Sequence, residues 1–371
     1  MSRAIPESCI LCFSSDYAEA RAKFRSACEA CGVTPQEHIC PVAGPDGGTL
    51  AIDEARFGDP KASRVLMVLS GTHGVEGFCG SGIQINWLRE NGPADLEPRV
   101  GVVLLHVINP YGFAWLRRAN ECNVDLNRNF IDFSKPLPEN QGYGEIAEVL
   151  CPRDWSDAEQ NRTMDALRAY QLRTGDSAYL NAVAGGQYSH AEGLFFGGQA
   201  PTWSRRTVEK IVSSVSPQMQ HVAALDLHTG LGPYGYGDVR CHVQPDSPAY
   251  RRALAWYGEV TNSFTDESTR GAESYRHSGN ILDGIASGLS SRCTFTPGGI
   301  EYGTRPVDEV LNALRAECWL HFRGGGGALI DQPIKNQMRD AFYPDVDDWK
   351  EMVWARGKEV VARAVRGLAA L

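Results

Sequence analysis

The sequence predicts an α/β protein built on a doubly wound, mostly parallel mixed sheet with helices on both faces. Three observations lead there. Val65–Leu69 is a continuous apolar run, Val100–Val107 is nearly one, and a helical pattern from Cys79 to Glu90 separates them. A strand covered on both faces reads as an unbroken apolar run, and strand–helix–strand order joins parallel neighbours. The same grammar returns as a helix near Thr207–Ser214, a strand at His221–Leu227, a helix near Ala249–Asn262 and a strand near Arg292–Thr296.

Ahead of this core, Asp16–Cys31 spaces Tyr17, Ala20, Phe24, Ala27, Cys28 and Cys31 at three- and four-residue steps, one apolar helix face ended by Gly32. Pro45-Asp46-Gly47-Gly48 marks a tight turn between Ile39–Val42 and Leu50–Ile52. Residues 1–60 therefore form an N-terminal helix and hairpin extension. Residues 134–200 interrupt the pattern, opening on Pro136, Pro138 and Gly142 and continuing as helix-like Ser156–Thr174 and Ser177–Ala184. They are expected as an insertion on the carboxyl-end side of the sheet, forming part of a pocket rim within a single domain, 1–371. A last helical pair is expected at Val307–Phe322 and Val346–Leu368.

Composition bounds the partners. The 371 residues carry a net charge of −9, with 43% hydrophobic and 22% charged residues. A nucleic-acid binder, or a protein held to an anionic membrane, usually presents a basic patch, and the chain has no long Lys/Arg run. No stretch of about 18 apolar residues is long enough to span a bilayer. Met1–Pro6 lacks the basic-then-apolar pattern of a secretory signal, and eleven cysteines, an odd number, suit free thiols, so a cytoplasmic location is expected. Cys9 with Cys12 and Cys28 with Cys31 are C-x-x-C pairs whose separation formally fits a four-thiolate metal site. The helix between them would hold the pairs apart, which favours free thiols. Self-association into a homo-oligomer is left open.

The chemistry gathers at strand ends. Gly71-Thr72-His73-Gly74-Val75-Glu76-Gly77 follows the first apolar strand, and Leu225-Asp226-Leu227-His228-Thr229-Gly230 ends a later one. A lone HxxE occurs by chance. Two imidazoles and one carboxylate delivered to the carboxyl edge of one sheet are what a catalytic zinc ion needs, with a coordination position left open. Asn109–Arg118 leads to Asn123-Val124-Asp125-Leu126-Asn127-Arg128-Asn129-Phe130, starting from the same edge. Asn127 and Arg128 suit a carboxylate, whose two oxygens match the planar guanidinium. Asp125 is placed to fix the tautomer of a ligand histidine. The loops Gln187–Gly198 and Gly230–Gly237 are aromatic, polar and glycine-rich; a packed loop is the ordinary reading of the first, a lid the alternative. No GxSxG elbow supports a serine esterase.

With GTHGVEG, NPYGF…RR, NVDLNRNF, DLHTG and the late Gly299-Ile300-Glu301-Tyr302-Gly303-Thr304, the chain resembles the zinc carboxypeptidase superfamily. The branch it is most similar to comprises poorly characterised bacterial relatives of succinylglutamate desuccinylase and aspartoacylase. The resemblance covers roughly residues 60–130 and 185–310 and implies one Zn2+ ion on a doubly wound α/β sheet with a helical insertion. It implies His73, Glu76 and His228 as metal ligands and Glu301 as the base that activates the attacking water. Asn127 and Arg128 match the carboxylate-binding pair and Asp125 the aspartate behind a ligand histidine. Arg118, or else Arg117, matches the arginine that polarises the scissile carbonyl. The loop from Arg118 to Asn127 is shorter than in digestive carboxypeptidases, and no tyrosine matches their mobile phenol; Tyr188, Tyr275 and Tyr302 are stand-ins, with Tyr188 and Tyr302 taken as substrate-binding. His242 and His277 are read as structural. The implied activity is hydrolysis of an amide next to a free carboxylate in a small N-acyl amino acid or short peptide. The alternatives are a carboxypeptidase on peptides proper and an inactive protein that binds carboxylate ligands.

Overall fold

The computed structural model describes residues 7–215, 219–262, 278–324 and 328–371. Tyr275, His277 and the Met1–Pro6 segment lie outside them. Eight strands form one mixed sheet: β1 (Gln36–Ala43), β2 (Thr49–Gly58), β3 (Arg64–Ser70), β4 (Val100–His106), β5 (His221–Tyr234), β6 (Asp238–Cys241), β7 (Thr261–Asn262) and β8 (Thr294–Gly303). Their order is β1-β2-β4-β3-β5-β8-β6-β7. The four inner strands β4, β3, β5 and β8 are parallel. β2 joins β4 antiparallel on one side and β6 joins β8 antiparallel on the other.

Side chains alternate across a strand, and the inner strands use both faces. Leu66, Val68, Val102, Leu104, Ala223 and Leu225 enter a large core shared with helices Tyr17–Ala30, Gly77–Arg89, Val307–Arg323 and Asp347–Ala369. Val65, Met67, Leu69, Val103, Leu105, Val222 and Ala224 enter a second core under helices Trp203–Val215 and Ile281–Gly288. Burying each valine, leucine or methionine among them contributes roughly 1.5–3 kcal/mol. The expected doubly wound sheet is the observed one.

Three details differ from the sequence reading. The helix expected to reach Asn262 stops at Tyr257, because Gly258 turns to φ +84°, and Thr261–Asn262 becomes the edge strand β7. A further helix, Ala328–Phe342, separates the terminal pair and tolerates Pro333 in its interior. The insertion contains helix Gln141–Leu150, capped by the Asn140 side chain, which accepts from the Tyr143 N–H at 2.9 Å, ahead of Asp157–Thr174 and Asp176–Ala184. The two C-x-x-C pairs are thiols outside any disulfide, the reading the sequence favoured: Cys9 turns its Sγ to the Lys350 carbonyl and Cys31 turns to that of Leu88. Among the described residues no helix is long and apolar enough to cross a membrane.

Candidate metal centre

β3 ends at Ser70, and three residues later His73 precedes a 3-10 turn, Gly74–Glu76, that runs straight into helix Gly77–Arg89. This turn is tied to the loop after β4. The Gly74 N–H donates to the Arg118 carbonyl at 3.1 Å and the Val75 N–H to that of Arg117 at 2.9 Å. A Cβ on Gly74 would lie 2.1 Å from the Gly112 carbonyl carbon, so only glycine allows the two backbones to meet. Within the loop, Asn109 accepts from the Gly112 N–H at 2.8 Å and donates to the Arg118 carbonyl at 3.1 Å. The next turn, Leu126–Arg128, is capped by Asp125, whose carboxylate accepts from the Asn127 N–H. His228 comes from β5, whose register sets it directly opposite Glu301 on β8.

Three strand ends thus converge. Nδ1 of His73 lies 2.9 Å from Oε1 of Glu76, and Nδ1 of His228 lies 2.9 Å from Oε2 of the same carboxylate. The ligand atoms of His73, Glu76 and His228 all fall within 4.8 Å of one another, and among the described residues this is the group of three that could hold a metal ion. The far nitrogens are held by carboxylates: Nε2 of His73 is 3.2 Å from Oδ1 of Asp125, and Nε2 of His228 is 2.6 Å from Oδ2 of Asp226. Thr72 in turn donates its hydroxyl to Oδ1 of Asp226 at 2.6 Å. An Nε2–H donating to an aspartate leaves the Nδ1 lone pair facing the shared point, the tautomer a cation requires. Two neutral nitrogens and one carboxylate oxygen, each backed by a buried partner, fit a divalent metal ion.

The electrostatics agree. Burial works against the Glu76 carboxylate, yet the two histidines hold it well below the usual carboxylate range. Burial likewise opposes the Asp125 charge, and Arg118 and His73 overcome it. The His228 imidazole, disfavoured as a cation by burial, is driven well upward by Asp226 and Glu76, so a proton and a metal ion compete for the same place at Nδ1. This much concentrated negative charge calls for a positive partner at the centre. Glu301 stands apart: burial raises it above the ordinary value, partly countered by His228 and reinforced by Glu76. Its Oε1 accepts from the Leu231 N–H at 3.0 Å.

Of the two arginines left open by the sequence, Arg118 faces the cluster. It donates to Glu76 Oε1 and to Asp125 Oδ2, both at 3.0 Å, and its remaining nitrogen lies 2.8 Å from Nε2 of His73. That imidazole nitrogen can donate to Asp125 or accept from Arg118, not both, and a cation at Nδ1 requires the first. Arg117 turns away into the interior, where Glu317 accepts from its Nε at 2.8 Å and Asn123 from a terminal nitrogen at 2.9 Å. Asn127 lies 3.3 Å from Nε2 of His228 and accepts from the Ile281 N–H. Arg128 is buried against the Asn127 and Ala184 carbonyls, with its Nε left without a hydrogen-bond partner. The Phe195 ring lies 5.3 Å from the Arg118 guanidinium and 5.9 Å from that of Arg128.

Two expected substrate contacts are corrected. Tyr302 is wholly buried in the larger core, on the side of β8 away from Glu301, because adjacent residues of a strand point to opposite faces. The buried Tyr188 spends its hydroxyl on the Arg128 carbonyl at 2.6 Å, so it holds Arg128 from behind. Asp226 was missed altogether, although its place two residues before His228 on one strand puts both on the same face.

The sequence profile of the family described as "Protein of unknown function (DUF2817)" matches residues 13–356. The chain belongs to DUF2817. Comparison of this DUF2817 chain with curated proteins gave no match. Among solved structures it is similar to carboxypeptidase A from Helicoverpa armigera, with 16% identity over 96% of this chain and 73% of that one and a TM-score of 0.54. The likeness is one of fold, and the DUF2817 chain has that carboxypeptidase-like fold. Looser overlaps join it to a succinylglutamate desuccinylase/aspartoacylase from Rhodobacter sphaeroides (14% identity, 79% and 66% of the chains, TM-score 0.37). The same holds for a metallo-carboxypeptidase from Burkholderia cenocepacia (13%, 86% and 66%, 0.36).

Proposed function

We propose that this chain is a zinc-dependent amidohydrolase that cleaves the amide next to a free carboxylate in a small N-acyl amino acid or a short peptide. The observation that supports it best is the meeting of His73 Nδ1 and His228 Nδ1 on the two oxygens of Glu76, each at 2.9 Å, with an aspartate behind each ring. When bound by His73, Glu76 and His228, zinc supplies Lewis acidity to the attacking water and the scissile carbonyl.

The chain's own groups do the rest. Glu301, opposite His228 and raised toward neutrality by burial, takes a proton from the attacking water and returns it to the leaving amine. Arg118 offers donors to the carbonyl oxygen as it gains charge. Asn127 and Arg128 hold the substrate carboxylate, and the unpartnered Nε of Arg128 is a buried donor suited to it. Phe195, from the 134–200 insertion, lies over both guanidiniums, which supports reading the insertion as part of the pocket rim.

The test joins metal analysis of purified protein with a hydrolysis screen of N-acetyl, N-formyl, N-succinyl and longer-acyl amino acids against dipeptides. One zinc per chain and release of a free amino acid are expected. Metal-loaded protein that hydrolyses none of these amides removes the reading; release from peptides alone moves it to a carboxypeptidase proper.

A further inference from the structure

Cys151 and Cys318 are brought together across 167 residues of chain. Cys151 follows the insertion's helix Gln141–Leu150, and Cys318 sits within helix Val307–Arg323. Their Sγ atoms lie 3.8 Å apart. Arg315, one turn earlier on the second helix, donates to the carbonyls of Val149 and Leu150 and so fixes the first helix's end against it. The Tyr143 hydroxyl lies 3.8 Å from the Cys151 sulfur. Cys151 is half-buried and Cys318 buried. A thiol ringed by hydrogen-bond donors, with a guanidinium nearby, is the one that ionises and reacts first. The Cys318 thiol and then the Tyr143 hydroxyl and Arg315 lower the Cys151 thiol's pKa against burial, while Cys318 is raised by the same contact.

We propose that Cys151 and Cys318 form a redox-active dithiol that closes to a reversible disulfide when the protein meets hydrogen peroxide. The Cys151 thiolate attacks one peroxide oxygen. The O–O bond breaks, the leaving hydroxide takes a proton to become water, and Cys151 is oxidised to the sulfenic acid. Cys318 then gives up its proton and attacks the Cys151 sulfur. The S–S bond forms, the S–O bond breaks, and the second hydroxide leaves as water with that proton. Two thiols are oxidised and one peroxide is reduced to two waters.

Closure shortens the sulfur separation to about 2.05 Å. It also consumes the single S–H of Cys318, which lies within reach of both the Cys151 sulfur and, at 3.2 Å, the Glu192 carbonyl. Glu192 begins the segment that ends in Phe195, over the Arg118 guanidinium, and Glu317 beside Cys318 grips Arg117. The bond therefore forms directly behind the arginine loop, and a change in hydrolysis on oxidation rests on the function proposed above. The chemistry of the sulfurs does not.

The experiment treats reduced, full-length protein with stoichiometric hydrogen peroxide, blocks remaining thiols with N-ethylmaleimide under denaturing conditions, and maps the peptides by mass. A linked Cys151–Cys318 pair, lighter by two hydrogens and released by dithiothreitol, is expected. In Cys318→Ser protein the link is lost and a dimedone adduct accumulates on Cys151. Both cysteines fully alkylated in the treated wild type, or a sulfenic acid on Cys151 that never passes to Cys318, overturns the proposal. The wild-type map decides alone should Cys318→Ser fail to fold, and it reads out whether or not any amide is hydrolysed.

Discussion

Asp226 and His228 stand two residues apart on β5, and the aspartate's Oδ2 lies 2.6 Å from the imidazole Nε2. The strand itself performs the alignment, since residues i and i+2 share a face. Replacing Asp226 by Asn removes the charge that holds the Nε2 proton. Zinc affinity is expected to fall by about 10–100-fold, measured by competition with a chromogenic chelator. An unchanged affinity would detach Asp226 from the centre.

Glu301→Gln separates binding from turnover. The variant is expected to hold its metal while hydrolysis slows by roughly 10²–10⁴-fold, as for loss of a general base. The wild type adds a pH signature. As the proposed base Glu301 would act deprotonated, and it is raised above the ordinary 4.5, so activity should be lost as pH falls through a point above that value. A pH–rate profile whose acidic limb is identical in wild type and variant would contradict the assignment.

Arg118→Met is expected to lower kcat by about 10²–10³-fold with the fold retained, the loss typical of one donor to a developing oxyanion. Steady-state kinetics and circular dichroism on the same sample check both halves. A variant of normal kcat would return the role to another donor.

Glu317→Ala tests the structural arginine. Glu317 accepts from Arg117 and from Lys335, both at 2.8 Å, and its removal strands the buried Arg117 and the half-buried Lys335. A loss of about 3–5 kcal/mol in urea unfolding is expected. Although burial opposes its charge, Arg117 and Lys335 hold the Glu317 carboxyl below the ordinary value. Its contribution is therefore full above pH 4.5 and lost as pH falls through the lowered value. Wild type and variant should converge in stability toward acid; a constant gap would argue against the ion pair.

Much of this was legible because the sheet is buried on both faces. The unbroken apolar runs of β3, β4 and β5 announced parallel strands, and residues just past their ends fall at one edge, which is how His73, Glu76 and His228 could be grouped. Glu301 and Arg118 came with the resemblance rather than from any pattern of their own. The errors have physical causes. Asp226 stood within the DLHTG motif without a role, because nothing there says that its carboxylate meets the far nitrogen of His228, while Tyr302 was taken as substrate-binding although strand alternation sends it to the face away from Glu301. Helix Ala328–Phe342 was hidden by Pro333, whose missing N–H costs one interior hydrogen bond that the remainder of the helix outlasts. Nothing in the sequence reveals that Cys151 and Cys318 meet, since that contact arises from the packing of two helices.

The glycine contact between Gly74 and Gly112 sets a limit on how this protein can be varied. Main chain rests on main chain there, with no side chain between to absorb a shift, so the segments around 73–77 and 109–118 behave as one cassette. Chimeras with crossover points between residues 77 and 109 would pair halves shaped for different neighbours, and grafts should carry both segments together.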